Sequence, residues 1–388
     1  MSHKAVFPLS DTLPQSDRIL LDTLSTLAQP QERTTRAMPG AFYTSERFAE
    51  LERERVFRQS WICIGHAGEL PANGDYFTTE LVGEPLLVQR GSQGEIRVLA
   101  NVCRHRGNLV ATGRGNARIH VCGYHAWSYE LSGKLKRAPL MQDCKDLDTA
   151  RCALPAIPTT IWQSFIFVNL DGKAAPLSEA LKPLESYIGV YHHEDRELYH
   201  SREDVWSTNW KCLAENFMEG YHLNATHPQT IRPRSPTEMS EYVAGNGHFS
   251  AYRLHYRSGL PEPGSACGSN QPEPTSSEIR FSFVFNVFPN LVVSSNAHRT
   301  MYICVRPQSA GRVALRWGVT RYGQAANPED VAEYLALLDS INAEDRSKLE
   351  TLQRGLESSF YTPGPLAPEN FEGTLRDFYG FMARRICS

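Results

Sequence analysis

Four residues in two short segments are of types that bind soft or borderline metals: Cys103 and His105 in CRHRG, and Cys122 and His125 in CGYHAW. Residues 106 to 121, sixteen positions, separate the pairs, and a glycine lies beside each. Two such turns each present one thiolate and one imidazole. A 2Fe–2S cluster with two cysteines on one iron and two histidines on the other needs this inventory, and histidine ligation raises its potential above that of an all-cysteine cluster. A Cys2His2 zinc site is the rival donor set. Zinc fingers usually hold their cysteines close together and group their histidines, whereas here each loop carries one of each, so spacing favours the cluster. His66 and His120 lie near these loops with no partner at ligand spacing and read as ordinary hydrogen-bonded histidines.

A second donor set lies in NWKCLAENFMEGYHLNATHP, where His222 and His227 are five positions apart. A helix brings residues three or four apart onto one face, so this pair converges best where a helix ends or loosens, and Pro228 marks such a break. Two imidazoles and one carboxylate bind iron(II) on one face and leave positions open, the arrangement of non-haem iron oxygenases. An H-x4-H pair alone carries little information. Its surroundings carry more.

The first two segments resemble the Rieske signature. They depart from it at Gly123 and Ala126, where the family commonly has proline and glycine. The third segment resembles the catalytic motif of Rieske oxygenase large (alpha) subunits, with Asn209, Trp210, Lys211, Glu215, Asn216 and Glu219 in the expected order. The resemblance implies that Glu219 hydrogen-bonds the ligand His222 and reaches the cluster histidine, His125, of a neighbouring subunit as the electron bridge. Most of the family uses aspartate there; glutamate is associated with enzymes acting on quaternary amines. The resemblance also implies a third iron ligand just before a Gln-Arg-Gly-Leu stretch, which in NAEDRSKLETLQRGLES is Asp345. Glu344 is its nearest competitor and on a helix would point ~100° away. The resemblance covers roughly residues 40 to 388 and includes three separate motifs in the family's order.

That likeness implies a fold of class α+β, a Rieske β domain plus a catalytic domain with a twisted antiparallel sheet flanked by helices. The cofactors implied are a Rieske 2Fe–2S cluster and a mononuclear Fe(II). A head-to-tail homotrimer would pair each cluster with a neighbour's iron. A separate reductase would bring electrons from NADH or NADPH through flavin and iron–sulfur groups, and the chain has no nucleotide-binding glycine fingerprint of its own. The expected reaction is hydroxylation of a small organic substrate with O2. One reading is a quaternary ammonium or N-methyl compound of betaine, carnitine or choline type, leading to demethylation or C–N cleavage. Glu219, the Glu-Gly-Tyr-His form of the motif and the ending QRGLESSFYTPGPL favour it. Phe281, Phe283, Phe285 and Tyr302 are then candidates for a cation-holding cage. The alternative is an aromatic substrate in an apolar pocket made by the same side chains. Their alternation is equally what a strand core shows. A bare electron carrier is the remote alternative, since it would need no His-His-Asp set.

The elements that must position these groups are legible in outline. At 388 residues the chain exceeds what one core usually fills. Residues 1–55 read as a helical lead packing with the catalytic domain, with Thr44 or Ser45 as a cap for TSERFAELERERVF. Residues 56–172 alternate as short strands broken by turns, and 173–388 form the catalytic unit. Within the latter, 176–200 read as helical, 204–227 contain a helix, 258–277 form a loop, strands run through the segments from 278 to 322, and a long helix spans about 327–357. Forty basic against forty-three acidic residues give a net charge of -3, which offers no broad cationic surface for nucleic acid or anionic lipid. Nine cysteines, an odd number scattered through a long chain, read as core thiols or ligands, not a disulfide framework. With no secretory leader and no apolar run long enough to span a bilayer, a cytoplasmic protein is expected.

Overall fold

The structure is a computed structural model that describes residues 14–29, 34–259, 280–322 and 328–387. Cys267, residues 1–13 of the helical lead and residues 260–277 of the Pro, Gly and Ser-rich segment lie outside the described residues. The lead carries α1 (Gln15–Leu27), α2 (Ala41–Thr44) and α3 (Glu46–Glu52). Ser45 caps α3, its hydroxyl accepting from the Phe48 N–H at 3.2 Å. Leu20, Leu24, Phe42 and Phe48 join the main core with Trp210, Phe378 and Met382, so the lead is buried against C-terminal elements.

Ten strands follow: β1 (Ile62–His66), β2 (Asp75–Leu81), β3 (Glu84–Arg90), β4 (Ile96–Ala100), β5 (Arg114–Asn116), β6 (Ile119–Val121), β7 (Ser128–Glu130), β8 (Leu135–Arg137), β9 (Thr159–Trp162) and β10 (Phe165–Val168). They form three small antiparallel sheets, ordered β1-β10-β9, β4-β3-β2-β5 and β6-β7-β8. A helix, α4 (Leu177–Ile188), leads into β11 (Glu197–Trp206). The helical reading of 176–200 therefore ends early: β11 begins at Glu197, where Glu197, Leu198 and His200 pair with Arg321, Thr320 and Val319. Next come α5 (Trp210–Met218), α6 (Leu223–Thr226), β12 (Ser240–Val243), β13 (Phe249–His255), β14 (Phe281–Val287), β15 (Leu291–Ser295), β16 (Arg299–Ser309) and β17 (Arg312–Arg321). The seven strands from β11 on make one antiparallel sheet, ordered β11-β17-β16-β15-β14-β13-β12. Two helices complete the chain, α7 (Pro328–Leu356) and α8 (Glu369–Cys387). Neither β12 and β13 nor α8 was legible in the sequence. Burial of Phe378, Tyr379 and Met382 against the main core explains why α8 forms.

The sheet has two unlike faces because successive side chains alternate. On β14, Phe283 and Phe285 enter a core with Leu181, Tyr191, Trp162 and Tyr302, and Phe281 packs at its edge. Ser282 and Val284 face the other way and line a cavity covered by α5, α6 and α7. The expectation that Phe281, Phe283, Phe285 and Tyr302 line the substrate pocket is thus overturned. Phe283, Phe285 and Tyr302 are 1%, 0% and 0% exposed on the face that packs against α4.

Candidate active site

The two metal-binding loops are built alike. Cys103 N–H donates to the Asn108 carbonyl at 2.8 Å and the Cys103 carbonyl accepts from Gly107 at 3.0 Å. Cys122 repeats this with Trp127 at 2.8 Å and Ala126 at 3.0 Å. The fourth residue after each cysteine must then adopt a left-handed backbone, with φ +80° at Gly107 and +57° at Ala126. Alanine there carries a penalty of about 1 kcal/mol that glycine would not, a local strain held by the pairing around it. Both cysteines are buried. The Nδ1 atoms of His105 and His125 face each other at 3.2 Å, and Trp127 stacks on His105 at 4.8 Å between centroids. Burial raises the Cys122 thiol, yet the backbone N–H groups of Tyr124 and His125, with Cys103 and Asn108, bring it below its ordinary value. Desolvation, His105 and Arg106 lower His125 and favour its neutral form. Two thiols and two opposed imidazole nitrogens fit a Rieske cluster. His66 and His120 are elsewhere: His66 Nδ1 accepts from Gly68 N–H at 3.0 Å, and His120 Nε2 meets Gln89 Oε1 at 2.7 Å.

The second site is made where a helix breaks. Asn209 caps α5, its Oδ1 accepting from Lys211 N–H at 2.9 Å. At Glu219 the backbone turns extended, with φ -129° and ψ 158°, so α5 ends before His222. The break expected at Pro228 therefore falls first at Glu219, and the single turn of α6 carries His222 and His227 at its two ends. Asp345 comes from the buried side of α7. One ligand atom from each of His222, His227 and Asp345 lies within 4.8 Å of the others.

The hydrogen bonds around these three assign the ring nitrogens. Glu219 Oε1 lies 2.6 Å from His222 Nδ1, and Glu344 Oε2 lies 2.7 Å from His227 Nδ1 and accepts from the Thr230 hydroxyl at 2.6 Å. With each Nδ1–H donated outward, each Nε2 turns a lone pair inward. Asp345 Oδ1 is 3.0 Å from His227 Nε2 and 3.8 Å from His222 Nε2. Neither Asp345 oxygen nor His227 Nε2 makes a hydrogen bond, and all three are buried. Lone pairs facing an unsatisfied buried carboxylate repel unless a cation stands among them. Burial opposes protonation of His222, but Glu219 and Asp345 outweigh it and raise its pKa. The donor set fits a mononuclear metal. Glu344, weighed in the sequence as a rival ligand, instead holds His227 from behind.

A cavity of about 610 Å³ opens from this triad. Near the metal-binding atoms it is lined by Asn216, Phe217, Leu223 and Tyr252, and further out by Leu254, Val284, Met301 and Leu338. Sequence reasoning missed Tyr252, which lies on a strand it did not find.

A two-histidine, one-carboxylate site beside a cavity, in one chain with a Cys2His2 double loop, defines a Rieske non-haem iron oxygenase. Comparison with known proteins agrees. Residues 188–388 match the family described as ring hydroxylating alpha subunit (catalytic domain), and residues 60–157 match the Rieske [2Fe-2S] domain. The chain belongs to the ring hydroxylating alpha subunit family, and it is an oxidoreductase with a Rieske cluster and a mononuclear iron. It is 28% identical to the glycine betaine monooxygenase oxygenase subunit of Chromohalobacter salexigens, over 92% of this chain and 87% of that protein. It is 34% identical to the carnitine monooxygenase oxygenase subunit of Escherichia coli (strain K12), over 52% of this chain and 54% of that one. In fold it is similar to the quaternary ammonium Rieske monooxygenase CntA in complex with L-carnitine, with a TM-score of 0.78 at 22% identity, covering 93% of this chain and 98% of that one. Naphthalene 1,2-dioxygenase from Rhodococcus sp. has a TM-score of 0.78 at 20% identity, covering 96% and 98%. Among the described residues, no helix is long and apolar enough to cross a membrane.

Proposed function

We propose that this chain is the terminal oxygenase component of a multicomponent enzyme that hydroxylates a quaternary ammonium or N-methyl compound, leading to demethylation or C–N cleavage. The observation that carries the iron chemistry is the triad itself, with two imidazoles each held from behind by a glutamate and turned towards an unsatisfied buried carboxylate. The substrate class rests on the relatives, whose names are glycine betaine, carnitine and choline monooxygenases, and on the glutamate at 219.

In this reading Cys103, His105, Cys122 and His125 hold the cluster, and His222, His227 and Asp345 hold the iron. When bound, the cluster supplies single electrons and the iron(II) supplies reductive activation of dioxygen. The chain's own residues do the rest. Glu219 and Glu344 each hold the Nδ1 of one imidazole and so aim its Nε2 inward. Phe217, Leu223 and Tyr252 exclude water beside the triad, and the rings of Phe217 and Tyr252 offer aromatic faces to a cation. Glu219, 9% exposed at the end of α5, would also accept a hydrogen bond from His125 of a neighbouring copy, and half-exposed Tyr124 and Tyr221 suit such a contact. In this reading the chain works as a head-to-tail homotrimer with a separate NAD(P)H-dependent reductase, in the cytoplasm. Residues 1–55, 56–172 and 173–388 would be its lead, Rieske and catalytic units.

The test is a single turnover of chemically reduced, iron-replete protein with oxygen and a mixed substrate panel, read by mass spectrometry. An aldehyde released from a quaternary amine is expected. Hydroxylation of an aromatic ring, with the amines untouched, would overturn the substrate class and leave the oxygenase.

A further inference from the structure

The cavity is chemically lopsided, and its far end is cationic. Tyr252 marks the triad end: burial, Glu219 and Asp345 together raise its pKa. In the sheet's register Tyr252 pairs with Val284, Val284 with Ser294 and Ser294 with Met301, a single row across four strands. Two residues further along β13 and β14 stand Leu254 and Ser282, paired with each other, and two residues before Met301 stands Arg299, about 7 Å along the strand. On the opposite wall Tyr334 precedes Asp345 by eleven residues, three turns or roughly 16 Å along α7.

Arg299 is 6% exposed, and its guanidinium lies over the Tyr334 ring at 4.0 Å from the centroid. Among the described residues it has no carboxylate counter-ion, and Arg321 is its directly opposed partner on β17. The cavity's carboxylates are Asp345, at the triad, and the exposed Glu333, neither paired with Arg299. Asn296 fixes the turn that presents Arg299, its Oδ1 accepting from Arg299 N–H at 2.9 Å. Its Nδ2 reaches the Tyr256 hydroxyl at 3.5 Å, and that hydroxyl is 2.6 Å from Ser282 Oγ. Arg234 lies over the same Tyr256 ring at 6.0 Å. A guanidinium cannot shed its proton to escape burial. A buried one without a counter-ion, opening into a cavity, is satisfied by an anion that arrives there.

We infer that Arg299 forms an anion subsite that receives a carboxylate on the substrate, remote from the carbon that is oxidised. The inference rests on the cavity being the substrate site of the proposed function and narrows that function: the substrate is an acid or zwitterion with an extended chain, not an amino alcohol of choline type. Arg299 sets specificity by electrostatic fit, while the triad end is indifferent to the carboxylate.

The test is equilibrium binding to iron-replete, anaerobic protein of matched pairs: a four-carbon trimethylammonio carboxylate against its carboxamide, and a phenyl-substituted carboxylate of similar length against its amide. Wild type is expected to bind at least one acid tenfold or more tightly than its amide. Arg299→Gln should bring acid and amide within about twofold by weakening the acid alone, and Arg299→Lys should restore part of the preference. The cluster's visible absorption and the melting temperature report whether each variant is folded. If wild type binds both acids no better than their amides, the subsite is refuted without recourse to any variant. It is refuted too if a folded Arg299→Gln keeps the preference. If only the phenyl acid shows the preference, the subsite stands and the quaternary ammonium reading falls.

Discussion

Glu344 offers the sharpest quantitative test of the site. Its Oε2 serves two donors, His227 Nδ1 at 2.7 Å and the Thr230 hydroxyl at 2.6 Å. Glu344→Ala removes the only acceptor that His227 Nδ1 has among the described residues, so the ring is free to carry its proton on Nε2, the atom that must be a lone pair for metal binding. Loss of such an outer partner costs about 10–100-fold in metal affinity, or ~1.4–2.7 kcal/mol. Glu344→Gln keeps a carbonyl acceptor but not the charge, and should stay near the lower figure. The assay is anaerobic competition for iron(II) between cluster-replete protein and a chelator, with the cluster's visible absorption as an internal control. The cluster should be untouched, since Glu344 has no contact with its loops. Wild-type iron affinity in a folded Glu344→Ala would refute the reasoning and leave Asp345 alone as the group that aims His227.

Three further outcomes are expected from the same geometry. His222→Ala should reduce iron from about three per chain to about two and keep the cluster's absorption; loss of the colour as well would contradict the division of ligands. Burial raises the Glu215 carboxyl from its ordinary 4.5 to about 8, despite hydrogen bonds from Tyr43 at 3.1 and 3.0 Å. The native state therefore keeps a proton between about pH 4.5 and 8 that the unfolded chain has lost, and wild-type stability falls as pH rises through that window. Glu215→Gln should gain relative to wild type across it, by an amount on the order of a few kcal/mol, read from urea unfolding at either end; a pH-independent difference would sink the assignment. Phe285→Ala should cost ~3–5 kcal/mol and leave substrate preference unchanged, whereas Val284→Ala, one residue away on the cavity face, should shift preference between small and large substrates at a lower cost in stability.

The candidate metal ligands could be picked out, and the structure brings His222, His227 and Asp345 together, because ligand chemistry is written in residue types at short spacing. Two cysteines and two histidines on matching loops, or two histidines around a helix break, need no knowledge of distant contacts. The helical lead with its Ser45 cap, the strands of the first half and the span of α7 were legible for the same reason, since capping and periodicity are local. What failed was non-local. The strand β11 starts inside text with helical character because its pairing with β17, more than a hundred residues away, outweighs local preference. Strands β12 and β13 were missed, with Tyr252 on β13, and α8 exists because its apolar side chains complete a core shared with the N-terminal lead, α5 and strands of both halves.

The misplaced substrate pocket has a physical cause. Alternation along β14 showed that Phe281, Phe283 and Phe285 share a face, but periodicity says nothing about which face meets the substrate. That choice is made by α4, which supplies Leu181 and Leu184 to the phenylalanine side and so leaves Ser282 and Val284 for the cavity. A strand reads the same with either face inward, and a one-residue change of viewpoint exchanges core for pocket. Glu344 was weighed in the sequence only as a competitor of Asp345, and its contact with His227 was not foreseen. Adjacent helical residues diverge by ~100°, and an imidazole has two nitrogens pointing in divergent directions, so two consecutive acids on α7 can grip one histidine from both sides. The geometry that excludes Glu344 as a ligand is the geometry that lets it orient one.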